Sequence, residues 1–222
     1  MAGESDGTVR MYEWVDGRTG DVAIIPSTDT QVLAVASRGN RVFVAHGNHA
    51  IVVRDVATGQ EIRRFATSSA PFSLALTPDG RLLAAGTYLG TVELWDIESG
   101  QKRGELKGER SVVTAIDISP GGTRLAAASR DGATRLWNVS GQSLATIAVR
   151  KPGATRVRFF PDGRRVAIGY EDGEVEIRDL EYFFRHAAGQ TEYQLQLLTK
   201  AGESFPRSAE AVAWARSLLP RH

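Results

Sequence analysis

Apolar and polar positions along this chain alternate with a period of two over short runs, not with the 3.6-residue period of a helix. Val92 and Leu94 alternate with Glu93 and Trp95, and Ile116 and Ile118 with Ala115 and Asp117. Gly, Pro and Asp separate the runs, which marks them as strands joined by tight turns. The runs also repeat. One pattern reads DGTVRMYE at 6–13, NHAIVVRD at 48–55, LGTVELWD at 89–96, DGATRLWN at 131–138 and DGEVEIRD at 172–179. Its second residue falls at Gly7, His49, Gly90, Gly132 and Gly173, spaced by 42, 41, 42 and 41. Turn glycines at Gly39, Gly80, Gly122 and Gly163 keep the same beat, spaced by 41, 42 and 41. Two interleaved markers in one period identify an internal repeat. Each period holds four strands, expected in the third period at 71–77, 81–87, 91–96 and 102–107. Outermost strands are then expected near 61–66, 102–107, 143–149 and beyond 180.

The two ends do not fill the repeat. MAGESDG lines up with AAASRDG at 126–132, so the first period starts inside its second strand. After 180 the markers stop. EYFFRHAA suits a helix, EYQLQLL alternates and suits an outer strand, and AEAVAWARSLL reads as a helix. In that last stretch Ser208 is an N-cap candidate, Glu210 lies in the first turn, and Ala211, Trp214, Ala215 and Leu218 share one face.

LGTVELWDIESG at 89–100 and SRDGATRLWNVSG at 129–141 resemble the WD-repeat β-propeller family. The resemblance covers about residues 1–180 and implies an all-β fold of four-stranded blades set radially around a channel. It implies four full blades and a partial N-terminal one, near 1–27, 28–67, 68–108, 109–150 and 151–180. A partly helical C-terminal tail would take up 181–222. The family's Trp-Asp pair is intact at Trp95-Asp96 and becomes Trp137-Asn138, Arg54-Asp55, Arg178-Asp179 and Tyr12-Glu13 elsewhere. A hydrogen-bonded set of Trp, Ser or Thr, Asp and His often ties such blades together. Trp137, Ser129 and Asp131 match three of its members, but the His position holds Glu109, and an ionised carboxylate cannot donate a hydrogen bond.

Composition narrows the chemistry. Cysteine is absent, which excludes disulfides, thiol nucleophiles and cysteine-bound zinc and fits a cytoplasmic location. No apolar run approaches a membrane span, and the polar N-terminus shows no secretory signal. A net charge of +1 gives no reason to expect nucleic acid or a membrane as partner. No phosphate-binding loop, dinucleotide fingerprint or HExxH is present. His46 and His49 share one turn without a further ligand nearby, and the stretch 141–145 resembles a nucleophile elbow but falls on an outer strand. Asn138-Val139-Ser140 forms a sequon, though Asn138 more simply replaces the Asp of Trp-Asp. The arginines between Arg150 and Arg165 form a basic strip. Within it Arg158 stands in the slot that Asp117 fills one period earlier, which predicts an ion pair across the blade boundary near the channel, expected as buried.

No metal or other cofactor and no catalytic residue is expected. The expected function is a protein-interaction scaffold, a fragment or module of a larger protein, because repeated hairpins make a rigid frame whose loops offer a recognition surface. A regulatory or sensor module of a signalling protein is the alternative, and a propeller enzyme the third class. Loops joining second to third strands and those entering first strands should share one end. They carry Tyr88, Leu89, Arg110, Arg130, Lys151 and Tyr170, the expected partner-binding residues. Trp95, Asp96, Trp137, Ser129, Asp131, Asp117 and Arg158 are expected to be structural. An incomplete ring exposes a blade face. Further sequence, the tail or another protomer would have to cover it, so self-association is also expected.

Overall fold

A computed structural model describes residues 2–3, 8–15, 18–25, 30–108 and 111–187. They form five antiparallel sheets. The first contains β1 (Ala2–Gly3), β2 (Val9–Val15) and β3 (Arg18–Ile25). The second contains β4 (Val32–Arg38), β5 (Arg41–His46), β6 (Ala50–Asp55) and β7 (Glu61–Ala66). The third contains β8 (Pro71–Leu76), β9 (Leu82–Thr87), β10 (Thr91–Asp96) and β11 (Lys102–Lys107). The fourth contains β12 (Val113–Ile118), β13 (Arg124–Ser129), β14 (Ala133–Asn138) and β15 (Ser143–Val149). The fifth contains β16 (Ala154–Phe159), β17 (Arg165–Tyr170) and β18 (Val175–Asp179), followed by the helix α1 (Leu180–Ala187). Strand order within each sheet follows the chain, so every sheet is a meander. The outermost strands β7, β11 and β15 occupy the stretches that the repeat spacing predicts.

The first strands β4, β8, β12 and β16 lie side by side, so the sheets radiate outward from one inner edge, as the blades of a propeller do. The repeat extends to fine detail. A register shift interrupts every first strand at one place, between Val32 and Ala34, Pro71 and Ser73, Val113 and Ala115, and Ala154 and Arg156. Such bulges bend a strand and increase its twist. Apolar side chains pack between consecutive sheets. Phe43, Ile51 and Phe65 of the second sheet meet Leu83 and Trp95 of the third, with the Phe65 and Trp95 rings 5.5 Å apart. Val92 and Leu94 of the third meet Leu125 and Trp137 of the fourth. Leu136 and Ile147 of the fourth meet Val157 and Ile168 of the fifth, where Leu180 and Phe184 of α1 join the cluster. The second, third and fourth sheets thus each bury one face on the sheet before and the other on the sheet after.

The third strand ends on an aspartate or asparagine that ties the next turn. The Asp55 carboxylate accepts the amides of Ala57 and Thr58. Asp96 accepts those of Glu98 and Ser99, and Asn138 accepts that of Gln142. Each turn then closes through a glycine with positive φ: Gly59 at 70°, Gly100 at 76° and Gly141 at 105°. In the fifth sheet Asp179 fills the same slot, but Phe183 stands where Asp55 and Asp96 are followed by glycine. A phenylalanine does not take positive φ readily. The chain continues instead into α1, with the Asp179 carboxylate accepting the Tyr182 amide at 3.0 Å as an N-cap.

The first sheet starts inside its second strand, as the alignment of MAGESDG with AAASRDG expects: β1 pairs with β2 through Ala2–Arg10 and Gly3–Val9. This is the register that Ala127–Arg135 adopts in the fourth sheet. The outer strand expected after 180 and the helix expected around Trp214 lie outside the described residues.

Candidate partner-binding surface

The turns between second and third strands sit at the same end as the connections that enter each first strand. Backbone hydrogen bonds tie the two kinds of loop together. The amides of Tyr88, Arg130 and Glu171 donate to the carbonyls of Ala70, Val112 and Gly153 at 2.9, 3.0 and 3.1 Å. Within a sheet, the amides of Thr67 and Arg150 donate to the carbonyls of His49 and Gly132 at 2.9 and 3.0 Å. Gly132 needs to be glycine: a Cβ there would stand 1.9 Å from the Arg150 carbonyl oxygen, and its φ is +97°. These ties give short, fixed loops that present side chains from a rigid base.

Tyr88, Leu89, Arg130 and Lys151 are exposed at this end. The Tyr88 ring rests against Phe72, centroids 5.9 Å apart. Arg110 lies outside the described residues. Tyr170 does not belong to the surface, because it is only 4% exposed. Its hydroxyl donates to Glu176 Oε2 at 2.8 Å, and the Arg150 guanidinium lies 4.8 Å from its ring centroid. Burial, reinforced by the Glu176 carboxylate, raises the tyrosine's pKa well above its ordinary value. The reason is positional. Tyr170 ends a second strand, as His46, Thr87 and Ser129 do, and all four are buried. The exposed counterpart of Tyr88 in the fifth sheet is Glu171, one residue further on.

The residues expected to be structural make contacts within and between sheets. Trp95 is nearly buried and its Nε1 donates to Glu93 Oε2 at 3.2 Å. Asp96 also pairs with Arg103. Trp137 is buried, the Ser129 hydroxyl donates to the Ser111 carbonyl at 3.3 Å, and Asp131 Oδ1 accepts the Ala133 amide at 3.0 Å. Glu109 lies outside the described residues. Arg158 Nη1 lies 3.3 Å from Asp117 Oδ1, and Asp117 Oδ2 accepts the Phe159 amide at 2.7 Å. The pair is not buried, which corrects the expected energetics: the Arg158 side chain is 79% exposed and that of Asp117 14%.

Glu93 is a fully buried carboxylate that sequence reasoning passed over. Besides Trp95 it accepts the Ser68 amide at 3.0 Å and the Lys102 ammonium at 2.8 Å. Its signal was the polar slot between Val92 and Leu94, which turns away from the face those two residues form. A buried charge paired and hydrogen-bonded in this way joins strand β10, strand β11 and the loop before β8, and leaves no group available for chemistry. His46 is buried with Nδ1 2.8 Å from the Thr30 carbonyl oxygen, and His49 is exposed on the turn. Ser143 opens outer strand β15 and is exposed. Among the described residues no three His, Cys, Asp or Glu side chains gather as a metal site. No helix among them is long and apolar enough to cross a membrane.

Comparison with known proteins agrees with this geometry. The family described as "WD domain, G-beta repeat" matches residues 59–96 and 100–138. The chain is 22% identical over 183 residues to WD repeat-containing protein SL1-17 of Schistosoma mansoni, covering 81% of this chain and 61% of that protein. It is 25% identical over 158 residues to transcription factor unc-37 of Caenorhabditis elegans, covering 71% of this chain and 25% of that one. It is 27% identical over 146 residues to WD repeat and HMG-box DNA-binding protein 1 of Xenopus laevis, covering 64% and 12%. The chain therefore spans 61% or less of the length of these relatives.

Proposed function

The chain belongs to the WD-repeat family, and from that premise we propose that it is a non-catalytic platform for binding another protein, working in the cytoplasm as a module of a larger propeller. The observation that carries the reading is the set of exposed side chains Tyr88, Leu89, Arg130 and Lys151. They stand at one end on loops cross-tied by backbone hydrogen bonds. Tyrosine and arginine on a preorganised surface are the residue types that dominate interface energetics. WD-repeat proteins in general bind proteins and are not enzymes. The buried polar groups Glu93 and Tyr170 are spent on internal contacts, which favours a frame over a reaction centre.

The modular part of the reading rests on the fifth sheet. Val175 and Ile177 are 68% and 58% exposed there. The same slots in the two preceding sheets hold Val92, Leu94, Thr134 and Leu136, all buried by the following sheet. Alternating apolar side chains on an open sheet face favour the stacking of a further blade, from a longer chain or from a second copy.

Affinity capture with the full chain tests the platform. Leu89→Asp combined with Arg130→Glu is expected to lose the retained proteins, whereas Ile62→Asp on outer strand β7 is expected to keep them. The reverse result would place binding on the outer rim and refute this reading.

A further inference from the structure

One position of the outermost strands is filled differently in each sheet. Strand pairing sets Val53 opposite Arg63 in the second sheet, Leu94 opposite Gly104 in the third and Leu136 opposite Ala145 in the fourth. Arg63, Gly104 and Ala145 are therefore equivalent, and each faces the gap to the following sheet. Between the second and third sheets Arg63 crosses the gap, and its Nη1 donates to the Ser99 carbonyl at 3.2 Å. A Cβ on Gly100 would stand 2.4 Å from that nitrogen, so the turn leaves room for the guanidinium. The space left over is about 190 Å³. Between the fourth and fifth sheets Ala145 packs against the cluster that holds Leu180 and Phe184 of α1. Between the third and fourth sheets the position is Gly104, and the gap widens to about 750 Å³. A Cβ added to Gly104 would meet nothing within 4 Å. Glycine inside a strand weakens it and marks places where another group approaches closely.

We propose that this open slot receives an arginine side chain of a partner protein, in the part that Arg63 plays one repeat earlier. Leu82, Leu94, Leu106 and Val139 line it with apolar carbon, which suits the methylene stem of an arginine. Ser140 also lines it and precedes its turn glycine as Ser99 does, and no group donates to its carbonyl among the described residues. Asp79 adds a carboxylate. Its Oδ1 accepts the Thr77 hydroxyl and the Arg81 amide, and no side chain donates to its Oδ2 among the described residues. The Thr77 hydroxyl, the Arg81 amide and the Arg81 charge hold this carboxyl below the usual range, so it is ionised at neutral pH. The other charges at the rim are engaged within the third sheet, Arg103 by Asp96 and Glu105 by Lys102. A guanidinium carries forked donors that serve a carbonyl and a carboxylate together, whereas an ammonium is a point charge. An aromatic anchor would bury both acceptors unpaired, and an acidic one would face Asp79. Strand β9 runs from Leu82 to Thr87, so the slot lies at the opposite end of the sheet from Tyr88 and Leu89 and is a separate contact.

The test is amide NMR of the full chain titrated with the peptide acetyl-Gly-Arg-Gly-amide. The same peptide with lysine or with uncharged citrulline for arginine serves as a further probe. Saturable shifts are expected at the amides of Gly104, Ser140 and Gly141, with both further probes binding at least about fivefold more weakly. Gly104→Arg fills the slot from within, as Arg63 does in the second sheet, and is expected to abolish these shifts while the strand amides stay dispersed. Asp79→Asn keeps an acceptor for Thr77 and Arg81 and is expected to weaken binding at least about threefold. Arg63→Gly is expected to open a second slot, read as new shifts at Ser99 and Gly100. The absence of saturable shifts at the slot, equal binding of the lysine or citrulline peptide, or undiminished binding by Gly104→Arg would overturn the inference. Nuclear Overhauser contacts from the slot to residues 188–222 would give it to that segment, of the same chain or of a second copy, and would overturn it too.

Discussion

Asp117 does two jobs with one carboxylate. One oxygen accepts the Phe159 amide of the next sheet, and the other faces the exposed Arg158 guanidinium. The first contact satisfies a backbone donor at the inner edge, and losing it leaves that donor unpaired at a cost of about 1–3 kcal/mol. The second is a contact to a solvated cation and contributes about 0.2–1 kcal/mol. Asp117→Ala is therefore expected to destabilise the protein by about 1–3 kcal/mol and Arg158→Ala by less than about 1 kcal/mol. The coupling between them, read from urea unfolding of both single variants and the double, should stay below about 1 kcal/mol. A coupling of about 3–5 kcal/mol, the scale of a buried pair, would contradict the exposed geometry. That the two residues meet was legible in the sequence, because they stand 41 positions apart in a repeat of that length. The exposure of Arg158 was not, because it depends on whether a further sheet covers the face from which it projects.

At the scale of elements, the turns carry the acid sensitivity. Asp96 has its pKa lowered to about 2, first by the Ser99 amide, then by the Ser99 hydroxyl and by Arg103. Asp55 is lowered chiefly by the Thr58 amide, Asp79 by the Thr77 hydroxyl, Asp162 by the Arg164 amide and Asp179 by the Tyr182 amide. Each carboxyl is more acidic folded than in an unfolded chain, where an aspartate titrates near about 3.9. The unfolded state then binds protons more readily, so the stabilisation is complete above about pH 4 and is lost as the pH falls toward about 2. The urea midpoint should be flat from about pH 7 to about pH 5 and drop between about pH 4 and about pH 2. Asp96→Asn keeps the acceptor, as Asn138 does in the fourth sheet, and should make the drop shallower. An unchanged acid limb in that variant would show that the turn carboxylate is not responsible. Strand positions were legible because β-period and turn glycine recur together. The helix α1 was legible only as an ambiguity at EYFFRHAA. What decides it is the missing glycine after Asp179, a local φ requirement that apolar periodicity does not report. Tyr170 was misplaced for a related reason. A tyrosine next to a turn looks like a contact residue, but here the strand ends one residue later than the loop reading assumed.

The molecule as a whole is a set of sheets stacked face to face, the second to fifth of which lend an edge to a common inner groove and a loop to a common end. The stacking explains why the frame tolerates a degenerate Trp-Asp signature. Arg54 and Arg178 stand in for tryptophan without changing the pairing of β5 with β6 or of β17 with β18. Under the proposed reading, recognition falls to parts that vary between repeats: the loop tips at Tyr88–Leu89, Arg130 and Lys151. The groove itself was hidden in the sequence, because its lining comes from four separate strands and only their stacking brings Phe72 near Arg156. The central claim is that binding occurs at this end, and photo-crosslinking from single positions of the full chain tests it most directly. A photoreactive phenylalanine analogue at Leu89 is expected to yield discrete adducts with partner protein, and the same analogue at Ile62, exposed on outer strand β7, is expected to yield none. Adducts at Ile62 with none at Leu89 would contradict the account.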